Sequence, residues 1–229
     1  MKPDYSEVRR LLRAGRSGAL GTLSVAMPGY PFVSLLPYGL DGACRPLFLL
    51  SRLAEHTKNL LVDPRASLMV ADEGLFTGPL EKVRLTVLGS VERADLDESA
   101  RSRFLRYNPE SAEFIDWSDF GFYRLQPLKA RFIGGFGRMG WLDTVPLPHV
   151  LEPREETKVL DRLAARVPAG MRVEGVDPEG IDLVVAGVRR RVEFGSVHTD
   201  PEALLRAAGD VLDSVGTTEP SGPSTERYA

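Results

Sequence analysis

Short apolar runs joined mostly by hairpin-length links fill the first 145 residues of the chain. Val83, Leu85 and Val87 alternate with polar neighbours, which is the period of a strand with one buried face. The other predicted strands, bounded by turn residues, are GALGTLSV, PFVSLLPYGL, RPLFLLS, RASLMVAD, FGFYRLQPLK and ARFIGGFG. Because parallel strands need long crossover connections, this spacing favours an antiparallel barrel.

A helical period marks three segments around these strands. Helices are predicted for residues 5–16, for LAEHTKNLLVD and, with a break at Pro109, for 97–117. In the first of them Val8, Leu11 and Leu12 share one face, so this helix is predicted to be amphipathic.

A second domain begins where the composition changes, at DTVPLPHVLEPREE, because its clustered prolines mark a boundary. The segments beyond it predict a helix (REETKVLDRLAARV), three strands (MRVEGVD, GIDLVVAG, RRRVEFG) and a final helix (DPEALLRAAGDVLDSV). In the third strand, alternation with valines predicts that Arg190 is the inward-facing arginine. The expected organisation is a barrel over 1–147, a small α+β domain over 148–215 and a disordered tail over 216–229.

Composition removes several classes of protein. The net charge of -3 argues against a dedicated nucleic-acid binder, and no run of about 18 apolar residues predicts a membrane span. The single cysteine, Cys44, excludes an intrachain disulfide framework and any multi-cysteine metal site within one chain. The first 20 residues carry charges and no apolar core like that of a signal peptide, so a cytoplasmic protein is expected.

The stretch GGFGRMGWL contains the spacing G-x-G-x-x-G of a dinucleotide-binding loop. A Rossmann loop opens a helix, but the prolines of the following WLDTVPLPHV cannot continue one. Two interpretations are left. The glycines allow close packing of backbone, or Gly135 and Gly137 admit a planar anionic ligand beside Arg138 and Trp141.

The order of GALGTLS, PFVSLLPYGLD, PLFLLSRLAEHTKNLLVDPRASLMV and GGFGRMGWL resembles the flavin-binding split-barrel superfamily, which includes pyridoxamine 5'-phosphate oxidase. It is most similar to the haem-utilisation (HugZ-type) branch. The resemblance implies a mainly β plus α+β chain, with a six-stranded antiparallel split β-barrel and a small C-terminal α+β domain. It also implies a homodimer that holds its cofactor, haem or FMN, at the interface.

The resemblance also places the cofactor residues. The Ser-Arg-Lys that helps to hold the FMN phosphate in flavin-binding members corresponds to Ser51, Arg52 and Leu53, and Ser34 and Tyr38 stand in FVSLLPY where basic residues are expected. Two of the expected cations are therefore missing; His56 and Lys58 stand one helical turn further on. Two haem propionates need only one or two cations, for which Arg52 and Arg138 are candidates. The predicted cofactor-binding residues are Ser34, Ser51, Arg52, Thr57, Lys58, Gly135, Gly137, Arg138 and Trp141.

Haem chemistry raises the question of the iron ligand, which is commonly a histidine. The haem-degrading members of the branch use a histidine in a segment after the barrel. By position, His149 is the predicted ligand and His198 is the second candidate.

Three functions follow from these observations. The first is a haem-binding protein with haem-degrading oxygenase activity. The second is an FMN-dependent oxidoreductase of the pyridoxamine phosphate oxidase-like type, in which the flavin carries the chemistry. The third is a non-enzymatic haem-binding regulator of tetrapyrrole metabolism. In each case the expected partner is a small molecule, with no nucleic acid and no membrane.

Overall fold

The computed structural model describes residues 5–72, 82–135, 137–143 and 151–217. The chain divides into two compact units, and the division falls between Arg154 and Glu155. The boundary predicted at residues 147–148 lies outside the described residues. No helix in the described ranges is both long enough and apolar enough to cross a bilayer.

The first unit consists of eight strands and three α-helices in the described residues. In chain order they are α1 (Tyr5–Ala14), β1 (Ser17–Leu23), β2 (Pro31–Pro37), β3 (Gly39–Leu40), β4 (Pro46–Ser51), α2 (Glu55–Val62), β5 (Arg65–Ala71), β6 (Arg84–Arg93), α3 (Glu98–Tyr107), β7 (Phe120–Ile133) and β8 (Met139–Leu142). The predicted break at Pro109 is confirmed, because a short 3-10 turn, Pro109–Glu113, replaces the α-helix there.

All strand pairs of the first unit are antiparallel. Their order in the sheet is β2-β1-β5-β6-β7-β4-β3, and β8 pairs with the end of β7. The antiparallel prediction is therefore confirmed. The count of six strands is not, because β3, with two residues, and β8, with four, add to the described sheet.

The two strands predicted between residues 120 and 137 are one strand of 14 residues, β7. The prediction of two was wrong: the strand does not end after Lys129, and it also runs through Pro127, which has no N–H to donate. The register shifts there: Leu88 pairs with Lys129, Gly89 pairs with Pro127, and Leu128 is the extra residue of a bulge. A Cβ on Gly89 would lie 1.9 Å from the carbonyl oxygen of Gln126, so the bulge brings the two backbones close together.

The inner face of the sheet forms the core of the first unit, and α1 packs against it. Leu85 and Val87 are buried while Thr86 between them is partly exposed, as the alternation predicted. The largest fully buried side chains of this unit are Tyr38, Phe48, Phe132, Leu12, Leu20, Leu47, Leu68, Leu85 and Leu125. The hydroxyl of Tyr38 donates to the carbonyl of Leu12 at 2.7 Å and so ties α1 to the end of β2.

The second unit has the predicted order of helix, three strands and helix. These elements are α4 (Pro153–Leu163), β9 (Met171–Asp177), β10 (Gly180–Val185), β11 (Val188–Glu193) and α5 (Pro201–Thr217). The strands form an antiparallel sheet in the order β11-β10-β9. Helix α5 continues two residues into the tail predicted from 216, and residues 218–229 lie outside the described ranges.

The prediction that Arg190 is the inward-facing arginine of β11 was wrong. Arg190 is exposed, whereas the side chain of Arg191 is only 7% exposed. Its Nη1 lies 2.9 Å from Asp177 Oδ2 and 3.2 Å from Asp182 Oδ2. Charge pairing, and not alternation with the valines, decides which arginine is buried here.

Candidate cofactor site

Ser51 and Arg52 end β4 and lead into α2. The Ser51 hydroxyl donates to Asp119 Oδ2 at 2.6 Å and accepts from the backbone N–H of Leu53 at 3.1 Å. The Arg52 guanidinium donates to the carbonyl of Ser118 at 3.3 Å. Both predicted phosphate ligands therefore hold the turn before β7, and the carboxylate of Asp119 beside Ser51 disfavours a further anion.

The start of α2 carries polar groups that lack partners. The residue before the helix, Ala54, offers no side-chain cap, and its carbonyl accepts from the N–H groups of Thr57 and Lys58. Thr57 is completely buried, and its hydroxyl has no hydrogen-bond partner among the described residues. Lys58 is exposed, with its Nζ 3.9 Å from a carboxylate oxygen of Glu55. The backbone N–H groups and the helix dipole at the start of α2 would stabilise an anion bound at this helix end.

Ser34 faces α2 from β2 and contacts His56. Ser34 Oγ lies 3.2 Å from His56 Nδ1. Burial lowers the pKa of His56 below its ordinary value of 6.5. At neutral pH the imidazole is therefore uncharged, and it does not replace the cation that a flavin phosphate would need.

Asn59 is a buried residue of α2 whose role the sequence did not indicate. Its Nδ2 donates to Thr22 Oγ1 at 3.0 Å, and its Oδ1 accepts from the N–H of Val25 at 2.9 Å. Asn59 thus fixes α2 against β1 and against the loop after it. No motif in the sequence points to this contact, because it joins residues far apart in the chain.

The glycine-rich stretch forms the hairpin between β7 and β8. Gly135 and Gly137 have φ angles of 98° and 77°, and the N–H of Gly134 donates to the carbonyl of Arg138 at 2.7 Å. A Cβ at Gly135 or Gly137 would meet nothing within 4 Å, so backbone conformation is what requires glycine there. A strand follows the glycines where a Rossmann loop would have a helix, as the prolines predicted.

Arg138 has a carboxylate partner in its own chain. Its Nη2 lies 2.5 Å from both carboxylate oxygens of Glu7 on α1. The hydrogen bond to Glu7 raises the pKa of the Arg138 guanidinium. Arg138 is therefore already neutralised by Glu7 in this chain.

The predicted site residues fall into groups at opposite ends of β7. Ser51 pairs with Phe120 at the first residue of this strand, whereas the glycine hairpin follows its last residue, Ile133. At about 3.3 Å per residue, the 14 residues of β7 span roughly 40 Å. Within one copy of the chain, the Ser51–Arg52 group and the hairpin are therefore far apart.

Trp141 belongs to a third group, on the outer face of the sheet. One register row crosses this face from β2 to β8, and we call it the outer band: Leu35, Ala19, Met69, Thr86, Arg131 and Trp141. The exposed fractions of Leu35, Met69 and Trp141 are 77%, 44% and 57%. The outer band is thus an apolar surface that faces away from the core of its own chain.

This surface is low beside its Leu35 end, where the side chains of β1 are small. Ala19 of the outer band lies next to the row in which Gly21 pairs with Val33 and Ser67. Taller side chains stand at both ends, with Leu35 on one strand edge and Trp141 on the other. A flat apolar molecule can lie on such a surface and be flanked by aliphatic and aromatic groups.

A family model for the CREG β-barrel matches residues 4–146, which is more than half of the chain. The chain belongs to this family. The match covers all the strands of the first unit, including the outer band and the glycine hairpin.

Relatives of this CREG β-barrel include proteins named for haem. A chloroplastic non-canonical haem oxygenase of Arabidopsis thaliana, HOZ, is 36% identical over 132 residues, or 56% of the present chain. The match spans only 40% of that relative's length. A solved haem-binding protein of Mycobacterium smegmatis is 28% identical, with a TM-score of 0.58 over 94% of this chain and 98% of that one.

A third structure supports the fold of the whole CREG β-barrel chain. A protein of unknown function from Agrobacterium tumefaciens is 24% identical, with a TM-score of 0.70 over 89% of this chain and 92% of that one. The resemblance to split-barrel proteins of the haem-utilisation branch, predicted from the sequence, is confirmed by the family match and the relatives.

Of the two histidines predicted as alternative iron ligands, one lies within the described residues. His149 lies outside the described residues. His198 is in the second unit, where its N–H donates to the carbonyl of Pro178 at 2.8 Å and its Nε2 lies 3.3 Å from Ser196 Oγ. The described residues contain no cluster of three or more His, Cys, Asp or Glu side chains that could hold a metal ion.

Apart from Trp141, the residues of the outer band were missed by sequence reasoning, among them Arg131 and Met69. The only available signal was alternation along β7, where Ala130 and Phe132 are buried and Arg131 between them is not. That pattern places Arg131 on the outer face. It does not reveal which residues of the neighbouring strands lie beside it.

Proposed function

We propose that this CREG β-barrel protein binds haem on its outer band, between two copies of the chain. The observation that carries the proposal is the exposed apolar row that ends in Arg131 and Trp141. A porphyrin is flat and apolar on both faces and has two propionates at one edge. The small side chain of Ala19 leaves room for the ring, and the cation near the Trp141 end of the row suits a propionate.

A second copy of the chain covers the outer band in this proposal. Leu35 and Trp141 are large apolar side chains on one continuous face, together with Met69, and monomeric proteins rarely leave such a face open to water. The resemblance to dimeric split barrels supports the same arrangement. With a partner in place, the haem would be shielded from water on both faces.

We further propose that the bound haem is the substrate of an oxygenase reaction. Haem iron, reduced by an external donor, supplies the oxygen chemistry that opens the porphyrin ring. The residues of this chain bind the propionates, orient the ring and exclude water. The name of the Arabidopsis relative supports this assignment, and the name of the Mycobacterium relative supports the binding of haem. A protein that holds haem without turning it over, as a regulator of tetrapyrrole metabolism, is the competing outcome.

The test is a titration of the purified protein with haemin, followed by ascorbate in air. We expect a Soret band that saturates at a fixed ratio of haem to chain and then decays as the ring is opened. A band that forms but survives ascorbate would assign the regulator. The absence of any spectral change on adding haemin would remove haem binding altogether.

The same titration tests the predicted iron ligand. Replacing His149 with alanine should shift the Soret band, because the axial nitrogen is lost. The matched His198→Ala variant should leave the band unchanged, since the ring of His198 already contacts Ser196 and Phe194. If the His198→Ala variant shifted the band and the His149→Ala variant did not, His198 would be the iron ligand.

FMN is the second candidate, and the start of α2 is the observation in its favour. Its open N–H groups and the unpartnered, buried hydroxyl of Thr57 would suit a phosphate. The carboxylate of Asp119 and the neutral His56 weigh against it. Protein that releases flavin fluorescence on boiling, and a Thr57→Val variant that retains less of it, would establish this function instead.

A further inference from the structure

Arg131 lies near one end of the outer band and is stacked on an aromatic ring. In the register of the sheet it is directly opposite Thr86 on β6 and Trp141 on β8. The guanidinium carbon lies 5.6 Å from the centroid of the Trp141 ring. This distance is within the range of a cation–π contact, so the position of the guanidinium is restrained by the indole.

The guanidinium of Arg131 makes no ion pair or hydrogen bond to any residue in the described part of the chain. It makes a cation–π contact with Trp141. The other cations near this face differ. Arg138 is bound to Glu7, and the Nζ of Lys129 lies 3.4 Å from Asp143 Oδ1. An arginine on an apolar surface without a carboxylate is a position where an anion from outside the chain would be favoured.

The cation–π contact leaves the hydrogen-bonding capacity of the guanidinium intact. It takes up none of the five N–H donors, which lie in the plane of the group. A carboxylate can therefore take two of these donors side by side while the stack is maintained. Trp141 adds an apolar surface for the ring to which that carboxylate is attached.

We propose that Arg131 is the residue that binds a carboxylate of the ligand, an inference that rests on the proposed binding of a porphyrin at the outer band. It assigns the propionate to Arg131 in place of Arg52 and Arg138, both of which are engaged within the chain. The site then selects flat apolar molecules that carry a free carboxylate at one edge.

The experiment compares haemin with haemin dimethyl ester, in which both propionates are esterified, in the same detergent. The wild-type chain should bind haemin about tenfold to a hundredfold more tightly than the ester, because only the free acid pairs with the guanidinium. The Arg131→Met variant should bind the two compounds equally. Methionine keeps an apolar stem against Trp141, and an unchanged melting curve would show that the variant is folded.

The matched control is Arg138→Met, which removes a cation already neutralised by Glu7 and should keep the preference for the free acid. If Arg131→Met kept the preference and Arg138→Met lost it, the carboxylate would belong to Arg138 and the inference would be wrong. If the wild-type chain bound neither compound, the proposed function itself would fail. The two failures are therefore distinguishable.

Discussion

At the scale of single residues, the charge of His56 depends on its surroundings. Its pKa lies below 6.5 because burial penalises the imidazolium form, and the Ser34 hydroxyl contacts Nδ1. In the unfolded chain the same imidazole titrates near 6.5. Between these two pKa values the unfolded chain binds more protons than the folded one, so stability falls as the pH drops.

We therefore predict that His56→Gln reduces the pH dependence of the free energy of unfolding on the acid side of neutrality. The wild type should lose more stability than the variant as the pH falls from 6.5 through the pKa of folded His56. Urea denaturation at two pH values for both proteins measures the difference, because other titrating groups are common to them. Equal losses would mean that His56 titrates normally in the folded chain.

We predict opposite effects on stability when valine replaces two buried threonines, Thr57 in α2 and Thr22 in β1. Thr57 Oγ1 has no hydrogen-bond partner in the described structure, so Thr57→Val should leave stability unchanged or raise it by about 1 kcal/mol. Thr22 Oγ1 accepts from Asn59 and donates to the carbonyl of Phe32, so Thr22→Val should cost about 1–3 kcal/mol. Chemical denaturation of both variants checks the pair. A large loss at Thr57 would indicate that its hydroxyl has a partner.

At the scale of elements, the hairpin between β7 and β8 depends on glycine conformation. Gly137 has a φ of 77°, which costs a residue with a Cβ about 1–2 kcal/mol. We predict that Gly137→Ala destabilises the first unit by this amount. The control is Gly121→Ala in β7, where an added Cβ would lie 3.7 Å from the nearest atom, in Tyr123, and stability should change little. Thermal melts compare the two, and equal effects would contradict a conformational role.

Local pattern predicted the elements well because it reflects local physics. The face of α1 with Val8 and Leu12, the alternation in β6 and the prolines after the hairpin each act within a few residues. It failed where contacts between residues far apart in the chain determine the structure. The continuous strand β7 was predicted as two strands, and the bulge near Pro127 depends on Gly89, which lies 38 positions earlier in the chain.

The sequence indicated the types of residue in the candidate site, but it did not indicate how these residues are arranged. Trp141 was identified from the glycine motif, but its neighbour Arg131 was not, because their contact exists only through the register of β7 and β8. Arg138 was expected to face a ligand, and nothing near it in the sequence reveals that Glu7, on α1, pairs with it. Single-sequence patterns carry no information on such long-range pairs.

At the scale of the whole molecule, we expect the outer band to determine the state of association. Exposing the apolar side chains of Leu35 and Trp141 to water is unfavourable in free energy. A second copy of the chain that covers this face removes that cost. The chain of 25.2 kDa should therefore be found at twice this mass in solution. Because haem is proposed to lie in the same seam, association and haem binding should fail together.

We predict that Leu35→Glu gives a folded monomer that binds haemin weakly. Leu35 is 77% exposed in a single copy, so the substitution should cost little within the chain, but a carboxylate at an apolar seam is expensive to bury. The matched control is Leu61→Glu. Leu61 is 65% exposed on α2, the helix that packs on the opposite face of β1 and β2, and this variant should remain a dimer. Light scattering gives the mass of each variant, and a Leu35→Glu dimer with normal haemin binding would place the seam on another surface.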